Sequence, residues 1–167
     1  EGIHFHSIDI TRSKANPFDE IRTIIQVYKI YQKIAPDIVH HITIKPVLYG
    51  TLAARLAGVP AIVNAFSGLG YVFTAKGFKA SVIRMLVKIA YKIILRRKNL
   101  ISIVQNQDDK KYLISHSIIR CNQTVIIKGS GVDLQKIVPL PEPEGEVVVM
   151  FPARLLKDKG IMEFYKA

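Results

Sequence analysis

The stretch PDIVHHITIKPVLYGTLAARLAGVPAIV, residues 36–63, decides the fold. Asp37-Ile38-Val39-His40 is a short strand-like run behind Pro36, and Pro46 to Ala57 is a helix-forming stretch. The helix stops at Gly58, a residue suited to the left-handed turn that ends helices, and Pro60 leads into a second apolar run, Ala61-Ile62-Val63. Strand, helix and strand in close succession form the unit of a parallel sheet, because a crossover of about a dozen residues is needed to return a second strand alongside the first in the same direction. Upstream, Gly2 to Ile8 reads as a strand. Asn16-Pro17 then supplies a helix N-cap with proline at the first helical position, and Asp19 and Glu20 fall in the first turn. Ile21, Ile24, Ile25, Tyr28, Tyr31 and Ile34 recur at helical intervals, and Pro36 closes the segment. Downstream, the spacing predicts a helix over 78–98, a strand over 100–104, a helix over 108–115 and a strand over 124–127. Such alternation builds an α/β fold with right-handed crossovers.

Leu140-Pro141-Glu142-Pro143-Glu144-Gly145 cannot continue a sheet and reads as a linker. Val147-Val148-Val149-Met150-Phe151 behind it reads as a new buried strand, and a helix begins at Asp158. One strand and one partial helix are not a domain, so the chain reads as a fragment with one lobe mostly present and a second barely started.

The 167 residues are 49% hydrophobic, with 24 Lys+Arg against 13 Asp+Glu, a formal charge of +11. Disorder is excluded by the apolar content and its periodic clustering. One cysteine, Cys121, can close no intrachain disulfide and build no cysteine-rich zinc site, which points to a reducing compartment. No secretory signal is read ahead of the first strand-like run. Leu56 to Ala75 is free of charge over a membrane-spanning length. Pro60, Asn64, Ser67, Gly58, Gly68 and Gly70 within it favour a helix end, a β-run and a glycine turn instead.

The charge is unevenly placed. Between Asp37 and Asp108 no acidic residue occurs, while ten Lys and Arg fall inside that gap, a field that calls for an anionic partner: phospholipid, nucleic acid or a phosphorylated substrate. Arg84, Lys88, Lys92 and Arg96 are four apart, so they drift only about 40° per step and make one basic stripe on an otherwise apolar helix. Such a helix packs on a sheet with its stripe outward or lies in a membrane interface, and the two are compatible. Nucleic acid is the weakest of the partners, because no recognised RNA or DNA motif accompanies the charge.

In open parallel sheets, ligands bind beyond the C-terminal ends of the strands. That directs attention to five segments: His40 to Lys45, Phe66 to Gly70, Asn106-Gln107, Gly129 to Asp133 and Pro152 to Arg154. His40 and His41 point to opposite faces of an extended strand and cannot chelate one metal together. His4 and His6 share a face but have no third ligand, and Cys121 stands in no nucleophile motif. Ser67-Gly68-Leu69-Gly70 is either a tight turn or a loop that a ligand approaches closely, and it lacks the third glycine of a dinucleotide fingerprint. Gly129-Ser130-Gly131 offers amides to a phosphate or a swivel between lobes. Arg154 and Lys159 flank a helix start, where they suit a diphosphate or stand solvated.

On Pro36 to His40 with Lys45-Pro46, Gly50 to Pro60, Ser67 to Phe73, Gly129 to Asp133 and Ala153 to Gly160, the sequence resembles the retaining glycosyltransferases of family 4. Within that family it is similar to the branch that extends lipid-diphosphate-linked sugars in bacterial capsule, O-antigen and glycan assembly. The resemblance implies two facing lobes, each a Rossmann-like parallel sheet with helices on both faces (the GT-B arrangement). Residues 1–138 would be the acceptor-side lobe without its first strand, 139–146 a linker, and 147–167 the start of the nucleotide-sugar lobe. The implied reaction is transfer of a hexosyl or N-acetylhexosaminyl group, with retention, from a nucleotide-diphosphate sugar to a saccharide on polyprenyl diphosphate. No metal or other cofactor is implied. Arg154 and Lys159 would be catalytic, holding the donor diphosphate together with Gly129, Ser130 and Gly131. His40, Thr43, Lys45, Ser67, Gly68 and Gly70 would line the acceptor side, and Arg84, Lys88, Lys92 and Arg96 would dock on the anionic inner face of the plasma membrane from the cytoplasm. Ser67 stands where many relatives carry a histidine, so no catalytic histidine is assigned, and the fragment alone is expected to be inactive. The competing expectation is a non-catalytic basic module that binds membrane surfaces.

Overall fold

Helix α1, Pro17–Ile34, opens as its sequence predicts: Asn16 accepts a hydrogen bond from the Phe18 amide, proline occupies the first turn, and Ala35 ends the helix in the left-handed conformation. The computed structural model describes residues 2–8, 16–68, 73, 77–129, 131–142, 144–155 and 159–167. The expectations placed on Gly70, Ser130 and Asp158 therefore lie outside the described residues. The chain divides into two compact units, Glu1–Ser130 and Gly131–Ala167.

In the first unit, α1 is followed by β1 (Ile38–Ile42), α2 (Ile44–Ala57), β2 (Ala61–Phe66), α3 (Phe78–Ile94), β3 (Leu100–Val104), α4 (Gln107–Ser115) and β4 (Thr124–Ile126), with a short 3-10 turn at Cys121–Gln123. The strands form one sheet in the order β1-β2-β3-β4. All three pairings are parallel, as the alternation predicts. Helix α2 starts two residues before Pro46, which costs nothing because the amides of a first turn have no intrahelical partner.

Strands that follow one another in sequence and in space place right-handed crossovers on one face. Burial agrees: Val39, Ile62, Phe66, Leu100 and Val104 on that face join Val47 of α2, Tyr91 of α3 and Leu113 of α4 in the core. The other face is only partly covered among the described residues, with Ile38, Ile42, Ile101 and Val125 exposed. On α1 the buried positions are Thr23 and Val27, so the face turned inward is offset from the isoleucines read as its stripe, of which Ile21, Ile25 and Ile34 are exposed.

Two predicted strands do not form. Residues 2–8 are irregular and exposed apart from half-buried Ile8, and Val147 to Met150 are likewise irregular, Val147 being 92% exposed. A strand exists through ladder hydrogen bonds, and neither segment has a partner strand among the described residues. In the second unit, the helix expected from Asp158 is observed as α5, Ile161–Lys166. Phe151 stacks on Phe164 with ring centroids 5.2 Å apart.

Candidate functional site

Parallel pairing delivers the ends of β1 and β2 to the same sheet edge, with Ile42 opposite Ala65. The Thr43 amide donates to the Ala65 carbonyl at 3.1 Å. Thr43 takes φ 76° and ψ 166°, a region that glycine favours, and its side chain makes no cap to α2. Such a backbone costs about 1–3 kcal/mol and persists where its surroundings hold it. Part of that hold is visible in the Thr43 carbonyl, which accepts from the Val47 amide at 3.0 Å. Beside it, exposed Ser67 and half-buried Gly68 (φ 101°) leave β2. Thr43, Ser67 and Gly68 are thus brought together.

Lys45 and His40 stand differently. Lys45 is half-buried on the first turn of α2 and pairs with Glu20 of α1 at 2.8 Å. Burial would raise the Glu20 carboxyl, but hydrogen bonds to Lys45 and Tyr49, together with the Lys45 charge, outweigh it and hold it below the ordinary carboxylate range. Burial, and then the Glu20 carboxylate, push the Tyr49 phenol up. Lys45 is therefore a strut between two helices as well as a cation near the edge. His40 lies opposite Val63 within the ladder, on the exposed side of β1, and so stands back from the turn.

The neighbouring His41, which the sequence singles out for no role of its own, organises the interior beneath this edge. Its Nδ1 is 2.8 Å from Asn64 Oδ1 and its Nε2 2.9 Å from the Tyr31 hydroxyl. The pattern fits a neutral ring that donates to Asn64 and accepts from Tyr31. Asn64 Nδ2 donates in turn to Thr51 Oγ1 at 2.9 Å. The network ties α1, α2, β1 and β2 together. Polar residues at inward strand positions, His41 of β1 opposite Asn64 of β2, are the visible hint of it, but alternation does not name their partners on the helices, Tyr31 and Thr51.

Burial lowers the His41 pKa, the Asn64 oxygen opposes this, and the charge of His40 adds to the lowering. The unfolded chain then takes up a proton before the folded one does, so stability contributed by neutral His41 is present above the ordinary histidine value of about 6.5 and is lost as pH falls toward the lowered folded value. Thermal melts should show the unit losing stability from pH 7.5 to 5.5, with a smaller loss in His41→Gln. An equal loss in both would remove His41 as the cause.

Helix α3 ends earlier than its sequence predicts. The Arg55 guanidinium donates from Nη1 to the carbonyls of Ile93 and Ile94 at 2.7 and 3.0 Å, so Arg96 lies beyond the helix. The basic stripe is correspondingly shortened. Lys92 is exposed, Arg84 and Lys88 are half-buried, and the Lys88 ammonium sits 5.1 Å from the centre of the Tyr112 ring. Only Tyr91 and Ile94 on this helix are buried. Its outward surface is apolar: Phe78 is 85%, Leu86 57% and Ile93 64% exposed, and Val82, Met85 and Ile89 complete the row. No helix among the described residues is long and apolar enough to cross a membrane.

The residues assigned to the donor fall elsewhere. Gly129 is exposed just past β4, and the division between the units falls between Ser130 and Gly131, the latter with φ 65°. In the second unit, Arg154 and Lys159 are both exposed, Lys159 standing next to Gly160, which precedes α5. Among the described residues no three His, Cys, Asp or Glu side chains are grouped so as to hold a metal ion.

Two curated proteins resemble this chain. One is the N,N'-diacetylbacillosaminyl-diphospho-undecaprenol alpha-1,3-N-acetylgalactosaminyltransferase of Campylobacter jejuni, 25% identical over 95% of this chain and 45% of that protein. The other is the UDP-Gal:alpha-D-GlcNAc-diphosphoundecaprenol alpha-1,3-galactosyltransferase of Escherichia coli, 31% identical over 72% of this chain and 30% of that protein. The chain spans less than half the length of either relative. Residues 1–106, which take in the parallel β1–α2–β2 unit, the Thr43 turn and the apolar helix α3, match the family described as Glycosyl transferase 4-like. On that match, and with a Rossmann-like parallel sheet beneath it, the chain belongs to the glycosyl transferase 4-like family.

Proposed function

We propose that the first unit is the acceptor-side lobe of a retaining, GT-B type transferase that moves a sugar from a nucleotide-diphosphate donor to a hydroxyl of a saccharide carried on polyprenyl diphosphate. The observation that carries the reading is that both relatives are named for transfer onto diphospho-undecaprenol-linked sugars. In this reading residues 139–146 link to the donor lobe, which begins at 147. The acceptor oxygen forms a bond to the anomeric carbon, the bond from that carbon to the donor diphosphate breaks with its electron pair leaving on phosphate, and the hydroxyl proton passes to the departing phosphate oxygen. Charge develops on that leaving group. Arg154 and Lys159, with the amides of Gly129 to Gly131, stabilise it electrostatically and without a metal. Thr43, Lys45, Ser67, Gly68 and Gly70 line the acceptor side, with His40 behind them.

Helix α3 places the enzyme on its substrate's membrane, at the inner face of the bacterial plasma membrane. Its apolar row enters the interface while Lys79, Lys92 and Arg96, all exposed, meet anionic headgroups. Anionic liposomes should pellet the protein, and Leu86→Asp with Ile89→Asp should weaken binding by at least about tenfold, since each large apolar side chain returned to water costs about 1.5–3 kcal/mol. Binding unchanged by the pair would remove α3 as the docking element.

The deciding assay supplies the protein carrying both lobes with undecaprenyl-diphosphate-linked N-acetylglucosamine or N,N'-diacetylbacillosamine and a panel of nucleotide sugars. Acceptor-dependent nucleotide release with a product one sugar heavier supports the transferase. Silence across the panel with liposome binding intact favours a membrane-binding module without catalysis, the reading that the open apolar face of α3 also supports.

A further inference from the structure

Tyr91 belongs to the helix whose outer surface is open, yet its side chain is fully buried. It reaches both loops assigned to the acceptor. Its hydroxyl donates to the carbonyl of Ile44 at 3.0 Å, the residue directly after the Thr43 turn. Its ring meets Phe66, the residue directly before Ser67, edge-on with centroids 5.8 Å apart and planes at 69°. A phenylalanine would fill the same space, so the hydroxyl supplies direction rather than volume. Burial, with the nearby Tyr49 adding to it, keeps the phenol neutral, and the group remains a donor under ordinary conditions.

The surroundings give this contact a task. Thr43 holds a backbone conformation that its own side chain does not support, so the turn depends on neighbours for its shape. Arg55 grips the Ile93 and Ile94 carbonyls, which fixes the end of α3 against α2 and sets where Tyr91 stands along the helix axis. Tyr91 is therefore a rigid peg between two segments that leave the sheet at neighbouring strand ends.

We propose that Tyr91 is a positioning residue for the acceptor, holding the Thr43 turn and the Phe66–Ser67 exit at the spacing the acceptor saccharide requires. This inference rests on the acceptor-side reading of those two loops. The test is steady-state kinetics of Tyr91→Phe in the protein carrying both lobes, with whichever of the two undecaprenyl-diphosphate-linked sugars above serves as acceptor. The expected result is an acceptor KM raised by about fivefold or more, with the donor KM within about twofold of wild type, because misplacement of the acceptor loops leaves donor binding untouched. A change of equal factor in both constants, or in neither, overturns the proposal.

Ser67→Trp, measured in parallel, separates this inference from the reading beneath it. If Ser67→Trp raises the acceptor KM and Tyr91→Phe does not, the role of Tyr91 falls alone. If neither variant moves it, the acceptor-side reading falls as well. Should Tyr91→Phe fail to fold, Phe66→Leu, which keeps the hydroxyl bond and alters only the ring contact, is measured in the same way, and an unchanged acceptor KM then overturns the proposal.

Discussion

Gly50→Ala is expected to destabilise the first unit by about 2–4 kcal/mol, although glycine to alanine inside a helix ordinarily stabilises by about 1 kcal/mol. The sign is reversed by one neighbour. A Cβ on Gly50 would lie 2.3 Å from His41 Cδ2 and 2.5 Å from Nε2, distances that no carbon tolerates. The ring cannot swing aside freely, because Asn64 and Tyr31 hold its two nitrogens. Moving it forfeits one buried and one partly buried hydrogen bond, each worth about 1 kcal/mol net and more if a partner is left unsatisfied. Urea unfolding should show a lowered midpoint. His41→Ala in the Gly50→Ala background should recover part of the loss, so that the two changes are coupled rather than additive. A midpoint at or above wild type for Gly50→Ala would show that α2 shifts to accommodate the methyl and that the packing of ring on backbone is soft.

Arg154→Ala, in the protein carrying both lobes, is expected to lower turnover by about 10²–10³, the range found when one preorganised donor to a developing anion is removed. The expectation follows from the proposed reaction, in which negative charge on the departing diphosphate is greatest in the transition state. The loss should therefore fall on kcat more than on the KM of the donor. Arg154→Lys should recover only part of it, since an ammonium cannot match the two-point geometry of a guanidinium on phosphate. Lys159→Ala should act in the same direction. Turnover unchanged by both alanine variants would detach these residues from the chemistry.

The fold was readable where signals are local. Asn16 with Pro17, Gly58 with Pro60, and the apolar runs of β2 and β3 are each decided within a few residues, and the structure follows them. The misses share a cause in distance along the chain. Helix α3 stops where Arg55, far upstream, takes its carbonyls. Residues 2–8 and 147–150 have the composition of strands, but a strand is a relation between two segments and no partner reaches them among the described residues. At the candidate site, the sequence pointed to the right edge because parallel strands all finish on one side, although β1 and β2 run two and three residues past the runs read for them. Alternation put His40 and His41 on opposite faces, as observed, but did not say which of the two faces the core and carries its polar network. Nor did it give Lys45 its partner Glu20, since the rest of α1 and the whole of β1 lie between the two in the chain.

The sheet face that is only partly covered among the described residues also bears on how this chain behaves as a colloid. β1 offers a free edge of backbone amides and carbonyls among the described residues, and the adjoining surface carries Ile38, Ile42 and Ile101. Surfaces of that kind invite copies to add edge to edge or face to face. Opposing them is the net charge of +11, which makes any two copies repel. That repulsion acts over a screening distance that shrinks from about 30 Å at 0.01 M salt to about 10 Å at 0.1 M, while the apolar attraction does not weaken with salt. Ionic strength therefore acts as a dispersal control for this molecule, and the dilute buffers that would favour the proposed docking on anionic lipid are the same ones that keep its copies apart.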